Sequence, residues 1–439
     1  MNTITKKFIK YVSFNVLGMV GMSIYILSDT FFMSYALHSD GITALNFALP
    51  VYSLIFALSL MVGIGGATVY KLISTNKEQE KANKIYTLTI FLGISIGIIF
   101  MLLGIFFSRE ITVLFGAKDY IIPMTQEYIK TIMIFAPAFM LNSIYQAFIR
   151  NDNNPKLPML AMIIGSTSNI ILDLIFIFIL KMGMFGAAIS TCLAPIISLI
   201  ILSRHFIKKK NTFHFSRKFL SIKDAFNICK LGISSFITEI SSGIVMLVFN
   251  IIILKINGVI GVAAYGIITN ISLVALIIFS GIGQGIQPLA STAKSENNKT
   301  DLSRILKLGI FTTITFSIII YIASLLFIDG IISVFNSEKS VELYNIAKEG
   351  IRIFFAGFIF ASINIVLSSF YSAVDSPKKA FIISVLRGFL LIIPLAYIMA
   401  KILGMTGIWL SFVLTELIVT IISIIIGKKK PAKKSLLQN

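Results

Sequence analysis

The chain has 439 residues, of which 56% are hydrophobic and only 13% charged, and its mean hydropathy is +0.92. A soluble protein carries about a quarter charged residues, so a water-soluble fold is excluded and the chain requires lipid as its solvent. The net charge of +19 does not signal nucleic-acid binding, because the basic residues form short blocks between long apolar runs and no basic, aromatic-interleaved domain is present.

A helix needs ~20 apolar residues to cross a bilayer. On that measure the sequence predicts twelve spans, at 11–36, 44–72, 85–107, 124–149, 157–180, 186–207, 229–256, 259–291, 305–327, 344–372, 380–402 and 404–427. The opening MNTITKKFIKY has the charge of a signal n-region. The apolar stretch behind it contains Asp29 and leads into further spans, so it reads as the first transmembrane helix. Span two carries Pro50 and the glycines Gly63, Gly65 and Gly66, which permit close helix approach. Span four carries Pro137, Asn142 and Gln146. Span five places Asn169 and Asp173 at i, i+4 on one face. Span six holds Thr191, Cys192 and Pro195. The longest polar connection follows and divides the chain into 1–210, an inter-lobe loop 211–225, and 226–439. Span seven carries Cys229 and Glu239, and span eight the glycines Gly281, Gly283 and Gly285. Span ten carries Asn364, span eleven Arg387 and Pro394, and span twelve Glu416. The expected fold is therefore an all-α integral membrane protein of twelve helices in two six-helix lobes.

With both termini placed in the cytoplasm, 29 of the 38 Lys and Arg residues fall on the inner side. That asymmetry favours an even number of spans and a multi-pass protein of the plasma membrane. The halves also resemble each other. FIRNDNNPK (148–156) parallels FYSAVDSPKK (370–379), GMFGAA (183–188) parallels GMTGIW (404–409), and VGIGGA (62–67) parallels SGIGQG (280–285), all at an offset near 220. Two parallel repeats imply a pseudo-two-fold axis along the membrane normal, an architecture of transporters that rock one half against the other.

Four acids interrupt the apolar spans: Asp29, Asp173, Glu239 and Glu416. A charge at depth costs several kcal/mol by most accounts, so such residues face an interior and serve a purpose. Counting ~1.5 Å per residue, Asp29 and Asp173 fall about 25 Å from the inner face, and Thr191 at a similar depth. Two carboxylates, the Asn169 amide and a hydroxyl can thus converge. Hard oxygen donors suit Na⁺, and a carboxyl withdrawn from water can carry a proton instead. The residues leave that choice open. Glu239 lies near mid-span and suits a cationic substrate or a second cation. Arg387 is a possible partner for Glu416. The 37 Phe, 14 Tyr and 16 Met can line a cavity for flat apolar cations. His38, His205 and His214 lie in or beside loops and are expected to be solvated. No phosphate loop, HExxH or GxSxG is present, so the chain is expected to be neither an ATPase nor any other enzyme.

These residues carry a resemblance. SDTFFM (28–33), ALNFALPV (44–51), RNDNNPKLPM (150–159), SNIILDLIFI (168–177), GMFGAAISTCLA (183–194) and GISSFITEISSGIVMLVFN (232–250) resemble, in order and spacing, the multidrug and toxic compound extrusion (MATE) transporters, in particular their MepA-like bacterial branch. The resemblance runs through nearly the whole chain. It implies two six-helix lobes around a V-shaped cavity, and alternating access that exports cationic amphipathic drugs against inward H⁺ or Na⁺. It also implies a coupling-cation site at Asp29, Asn169, Asp173 and Thr191, a role for Glu239, and a polar residue on helix four, for which Gln146 and Asn142 stand as candidates nearer the cytoplasm. Some members have an acid on helix ten, where this chain has Asn364. No cofactor is expected beyond the coupling ion, H⁺ or Na⁺. The partners expected are small organic cations and the bilayer, not nucleic acid or ATP, and a monomer is expected. Two other readings are a flippase for lipid-linked saccharides, which would call for a basic cavity and extra helices, and a non-transporting membrane receptor or assembly protein.

Overall fold

The computed structural model describes residues 3–75, 78–117, 120–217, 221–335 and 340–428, and of 26, 27, 30, 34, 38, 39, 42, 259 and 428 the backbone alone. Of the basic residues placed inside, Lys77, Lys218, Lys429, Lys430, Lys433 and Lys434 lie outside the described residues, as does the His38 side chain. Every regular element described is helical.

The apolar spans are α1 (Thr3–Tyr25), α2 (Thr43–Thr75), α3 (Gln79–Leu114), α4 (Ile121–Ile134 and Ala136–Asn151), α5 (Lys156–Ile179), α6 (Gly183–Ile207), α7 (Ile222–Gly258), α8 (Ile260–Ser295), α9 (Lys299–Leu326) and α10 (Val341–Ala373). A last stretch, Pro377–Gly427, has 51 residues. At ~1.5 Å per residue it is more than twice the ~30 Å hydrocarbon thickness. Gly404 has φ 59° within it, and Arg387 meets Glu416 at 2.9 Å, so the stretch doubles back as α11 (377–403) and α12 (405–427). With that division, the spans among the described residues number twelve, as the sequence predicts. The same logic separates α1 from α2, although helical geometry runs from Thr3 to Thr75. The Tyr25 and Tyr52 hydroxyls are 3.2 Å apart, whereas 27 residues of straight helix would hold them about 40 Å apart. Gly258, at φ 60°, makes the reversal between α7 and α8.

The bend in α4 is 48° and has a covalent cause. Pro137 stands at the start of the second piece and cannot return an N–H to the carbonyl one turn back. Gly97 of α3 allows the bend to nest, since a Cβ there would meet the Pro137 backbone at 2.6 Å.

The chain packs as two compact units. One, here the N unit, is Ser13–Glu239 with Ser291–Asn297. The other, the C unit, comprises the described parts of Met1–Val12, Ile240–Ala290 and Asn298–Asn439. The division differs from the expected 1–210, 211–225 and 226–439, because packing follows backbone approach rather than the polar loop. The N-terminal half of α7 lies on α2 through two glycines. A Cβ at Gly232 would meet the Met61 carbonyl at 1.9 Å, and one at Gly65 would meet the Ile228 carbonyl at 2.1 Å. The N-unit core gathers Met33, Ala48, Ile55, Ile129, Phe139 and Cys192. The C-unit core gathers Phe249, Phe279, Phe355, Phe358 and Trp409, with Phe354 stacked on Phe412 at 4.1 Å.

After α6 the chain does not float free. Asp152, just past α4, accepts from His205 Nε2 at 2.8 Å and from the Thr212 N–H at 2.9 Å and hydroxyl at 2.5 Å. Phe213 is fully buried among Tyr70, Tyr86, Phe148 and Phe206. The expectation of a solvated His205 is overturned. Its ring is 2% exposed, because the carboxylate and the Phe213 ring, stacked at 6.1 Å, take the place of water. His214 is exposed, as expected.

Candidate cation site

The site is built on α5 and α6. Asp173 ends the α-helical part of α5, and Leu174–Ile179 continues as a π-helix, an insertion found disproportionately at functional sites. Asn169, Asp173 and Ser190 are fully buried, and Thr191 is 5% exposed. The Ser190 hydroxyl donates to Asp173 Oδ1. Asn169 is oriented so that its amide nitrogen donates to Asp173 Oδ2 at 3.2 Å and its oxygen accepts the Thr191 N–H at 3.3 Å. That orientation gives every acceptor a donor. Pro195 lies inside α6 and has no N–H for the Thr191 carbonyl, which releases one more oxygen at this level.

Asp29, beyond α1, brings the second carboxylate within electrostatic range of Asp173. Its Oδ1 is buried with no hydrogen-bond partner. A buried, unmatched carboxylate oxygen costs free energy unless a proton or cation meets it. The donors at this level are two carboxylates, an amide, two hydroxyls and a carbonyl. All are hard oxygens, which fits Na⁺ and equally a shared proton. They do not suit a thiolate- or imidazole-bound metal, and among the described residues no three His, Cys, Asp or Glu side chains converge.

Three tyrosines extend the site. Tyr25 and Tyr52 share their hydroxyl contact, and Tyr25 is also within electrostatic range of Asp29. Tyr128 of α4 lies beside Asp29 and Thr191. Glu239 on α7 is within range of Tyr52. It lies 17 residues from Ile222, about 25 Å along the helix from its N-terminal end. Glu239 thus stands at the middle of α7, 19 residues from Gly258, in the mid-span position expected, and lies within electrostatic range of the tyrosine pair. Tyr52 stacks on Phe56 at 6.2 Å and meets Phe139 edge-on at 5.7 Å.

The structure brings together Asp29, Asn169, Asp173 and Thr191. It does not add Gln146 or Asn142. Gln146 Nε2 donates to Asn142 Oδ1 at 3.1 Å, and Ser198 Oγ donates to the same oxygen at 2.7 Å. Asn142 is nine residues from Asn151, the C-terminal end of α4, ~14 Å along the helix, and its amide is taken up by Gln146 and Ser198 rather than by the carboxylates. On α4 the residue that reaches the site is Tyr128. Ser190 and the tyrosines escape a sequence reading that weighs only acids and their i, i+4 neighbours.

Long apolar spans that carry buried carboxylates and their oxygen neighbours define a membrane transporter rather than an enzyme. The sequence profile of the MatE family matches this chain twice, at residues 15–175 and 234–398, and the chain belongs to that family. It is 25% identical over 415 residues to the multidrug export protein MepA of Staphylococcus saprophyticus, covering 94% of this chain and 90% of that protein. It is 24% identical over 403 residues to MepA of Staphylococcus aureus strain MRSA252, covering 91% and 88%. Among solved structures, an outward-facing multidrug resistance MATE family transporter superposes with a TM-score of 0.91 at 21% identity, covering 97% of this chain and 96% of the other. A MOP superfamily transporter from Pyrococcus furiosus superposes with the same score, identity and coverage. The twofold match gives the predicted internal repeat an independent footing.

Proposed function

We propose that the protein is a secondary multidrug exporter of the plasma membrane, with both termini cytoplasmic, that expels cationic amphipathic molecules in exchange for H⁺ or Na⁺ by alternating access. One observation carries this reading: the Asp29 Oδ1 atom, buried and unpartnered, within electrostatic range of a second buried carboxylate at Asp173. Two acids that feel each other's charge inside lipid repel when both are ionised, and a proton or cation between them relieves that repulsion. A cation entering from outside relieves their repulsion, and its release inside restores it, which gives the lobes two charge states to alternate between. The membrane potential adds about 2.3 kcal/mol per charge for each ~100 mV. Glu239, with the tyrosines beside it, is the group suited to a cationic substrate, which it meets by charge and the rings by cation–π contact. The similarity to MepA supports multidrug export as the substrate class.

The test is uptake of a fluorescent organic cation into proteoliposomes, with the pH and Na⁺ gradients imposed separately. Transport follows one gradient and falls to background in Asp173→Asn, which expresses normally. Transport that ignores both gradients, or full activity in Asp173→Asn, defeats the proposal.

A further inference from the structure

The C unit holds a second buried charge cluster that the cation site does not use. Glu416 on α12 is 3% exposed. Its Oε1 accepts from Arg387 Nε at 3.1 Å and Nη2 at 2.9 Å. Its Oε2 accepts from Asn364 Nδ2 at 2.7 Å, which also reaches the Glu416 carbonyl at 2.9 Å. Thr420 Oγ1 completes the cluster, with the Glu416 carbonyl at 2.8 Å and Asn364 Oδ1 at 3.2 Å as acceptors for its one proton. Asn364, Arg387 and Glu416 stand nine, ten and eleven residues from Ala373, Pro377 and Gly427, the inner ends of their helices, so all three lie ~15 Å up, near the middle of the membrane. The other charged residues on α9 to α12 are far from that level. Lys299, Asp301, Arg304, Lys307, Lys378 and Lys379 are at inner ends, and Glu342, Lys348, Glu349, Arg352 and Lys401 are in outer halves.

The internal repeat locates this cluster. An offset of 222 residues carries Pro155 to Pro377, Asn142 to Asn364 and Ser198 to Thr420. The bond is repeated with the residues, because Ser198 donates to Asn142 Oδ1 in the N unit as Thr420 does to Asn364 Oδ1 in the C unit. The same offset carries Gly165 to Arg387 and Ala194 to Glu416. In the N unit those two positions are a bare backbone contact, where a Cβ on Gly165 would meet the Ala194 carbonyl at 3.2 Å. In the C unit they are an ion pair, which places a negative charge at a depth where the N unit has none.

A buried carboxylate needs a positive partner, and a guanidinium does not give up its proton. A proton or alkali ion arriving at Glu416 would therefore strand the Arg387 charge in lipid. We propose that Arg387 is a fixed internal counter-cation for Glu416, standing where an exchangeable cation would otherwise sit, so that Arg387 confines cation exchange to the Asp29–Asp173 site. The consequence for coupling stoichiometry rests on the exchange proposed above, but the charge state of Glu416 does not.

Acid–base difference infrared spectroscopy of the purified full chain tests this without transport. Glu416→Gln leaves the wild-type protonated-carboxyl bands unchanged, whereas Asp29→Asn and Asp173→Asn alter them. Arg387→Met gains one titrating carboxyl per chain, and Arg387→Met/Glu416→Gln loses it again. Arg387→Lys, which keeps the charge, gains none. Loss of a wild-type band in Glu416→Gln overturns the proposal, as does a folded Arg387→Met with no new band. If Arg387→Met does not fold, the wild-type against Glu416→Gln comparison decides alone. Failure of drug transport with these spectra as expected counts against the exporter reading only.

Discussion

The Asp152 catch on the segment after α6 makes a local prediction with a definite size. In Asp152→Ala, the Thr212 N–H and hydroxyl and the His205 ring lose their common acceptor, while the Phe213 packing remains. A hydrogen bond to a charged group contributes about 1.5–3 kcal/mol net. Water reaches exposed Thr212 and replaces part of what it loses, so we take about 2 kcal/mol in all, roughly a thirty-fold rise in the open population of residues 208–217. Lys208, Lys209 and Lys210 are exposed in this segment, so brief trypsin treatment reports the opening, and amide hydrogen exchange confirms it. The catch also has a pH signature. Burial alone would raise the Asp152 carboxyl, but the hydrogen bonds from His205 and Thr212 outweigh it and hold the group below the ordinary carboxylate range. A depressed folded value means the stabilisation is complete above the unfolded value of about 3.9 and is lost only as pH falls through the folded one. Exchange in 208–217 is therefore flat from neutral pH to about 5 after correction for intrinsic rates, and rises below about 4. Equal protection of the segment in wild type and Asp152→Ala would refute the reasoning.

Two further predictions concern the N and C units. Ser190→Ala removes a donor from Asp173 while sparing both carboxylates, so transport continues with its pH or Na⁺ midpoint displaced, and an unmoved midpoint would show that Ser190 does not tune the site. Trp409 is fully buried and its Nε1 has no partner, so Trp409→Phe forfeits packing but no hydrogen bond. It should lower the melting temperature in detergent far less than Trp409→Ala, which opens a cavity costing about 3–5 kcal/mol, and equal losses would contradict this.

The spans were legible because a bilayer leaves few alternatives: ~20 apolar residues bounded by Lys and Arg admit one reading. Asn169 and Asp173 could be joined because helical spacing alone puts them on one face. Glu416 and Arg387 could be paired because both interrupt apolar runs on consecutive spans and carry opposite charge. Legibility ended where function depends on contacts between helices. Nothing in the sequence told Tyr25 to meet Tyr52 or withdrew His205 from water. Asn142 looked like a site residue through family resemblance, yet its partner is Ser198, a bond internal to the repeat. The expected division at 211–225 followed the polar loop, whereas Gly65 and Gly232 let the N-terminal half of α7 join the first six spans.

The π-helical turns were equally hidden, and they bear on both charge clusters. In α5 the π segment is Leu174–Ile179, and in α11 it is Leu386–Leu390, so each unit's fifth span changes pitch beside its intramembrane charge, Asp173 in one and Arg387 in the other. An added residue turns everything beyond it by about 100° relative to an unbroken helix. In α5 that brings Phe178 against Phe32 and Tyr35, at 5.7 and 5.8 Å, on the segment that carries Asp29. The 3.6-residue period that locates a helix in a sequence assumes no such turn, so apolar periodicity loses its phase just past Asp173. The two units thus share a local device but use it differently. In the N unit it flanks a carboxylate whose neighbour Asp29 has an unpartnered oxygen, while in the C unit it carries the guanidinium that satisfies Glu416. That contrast, rather than the repeat itself, makes the N unit the place to look for an ion that comes and goes.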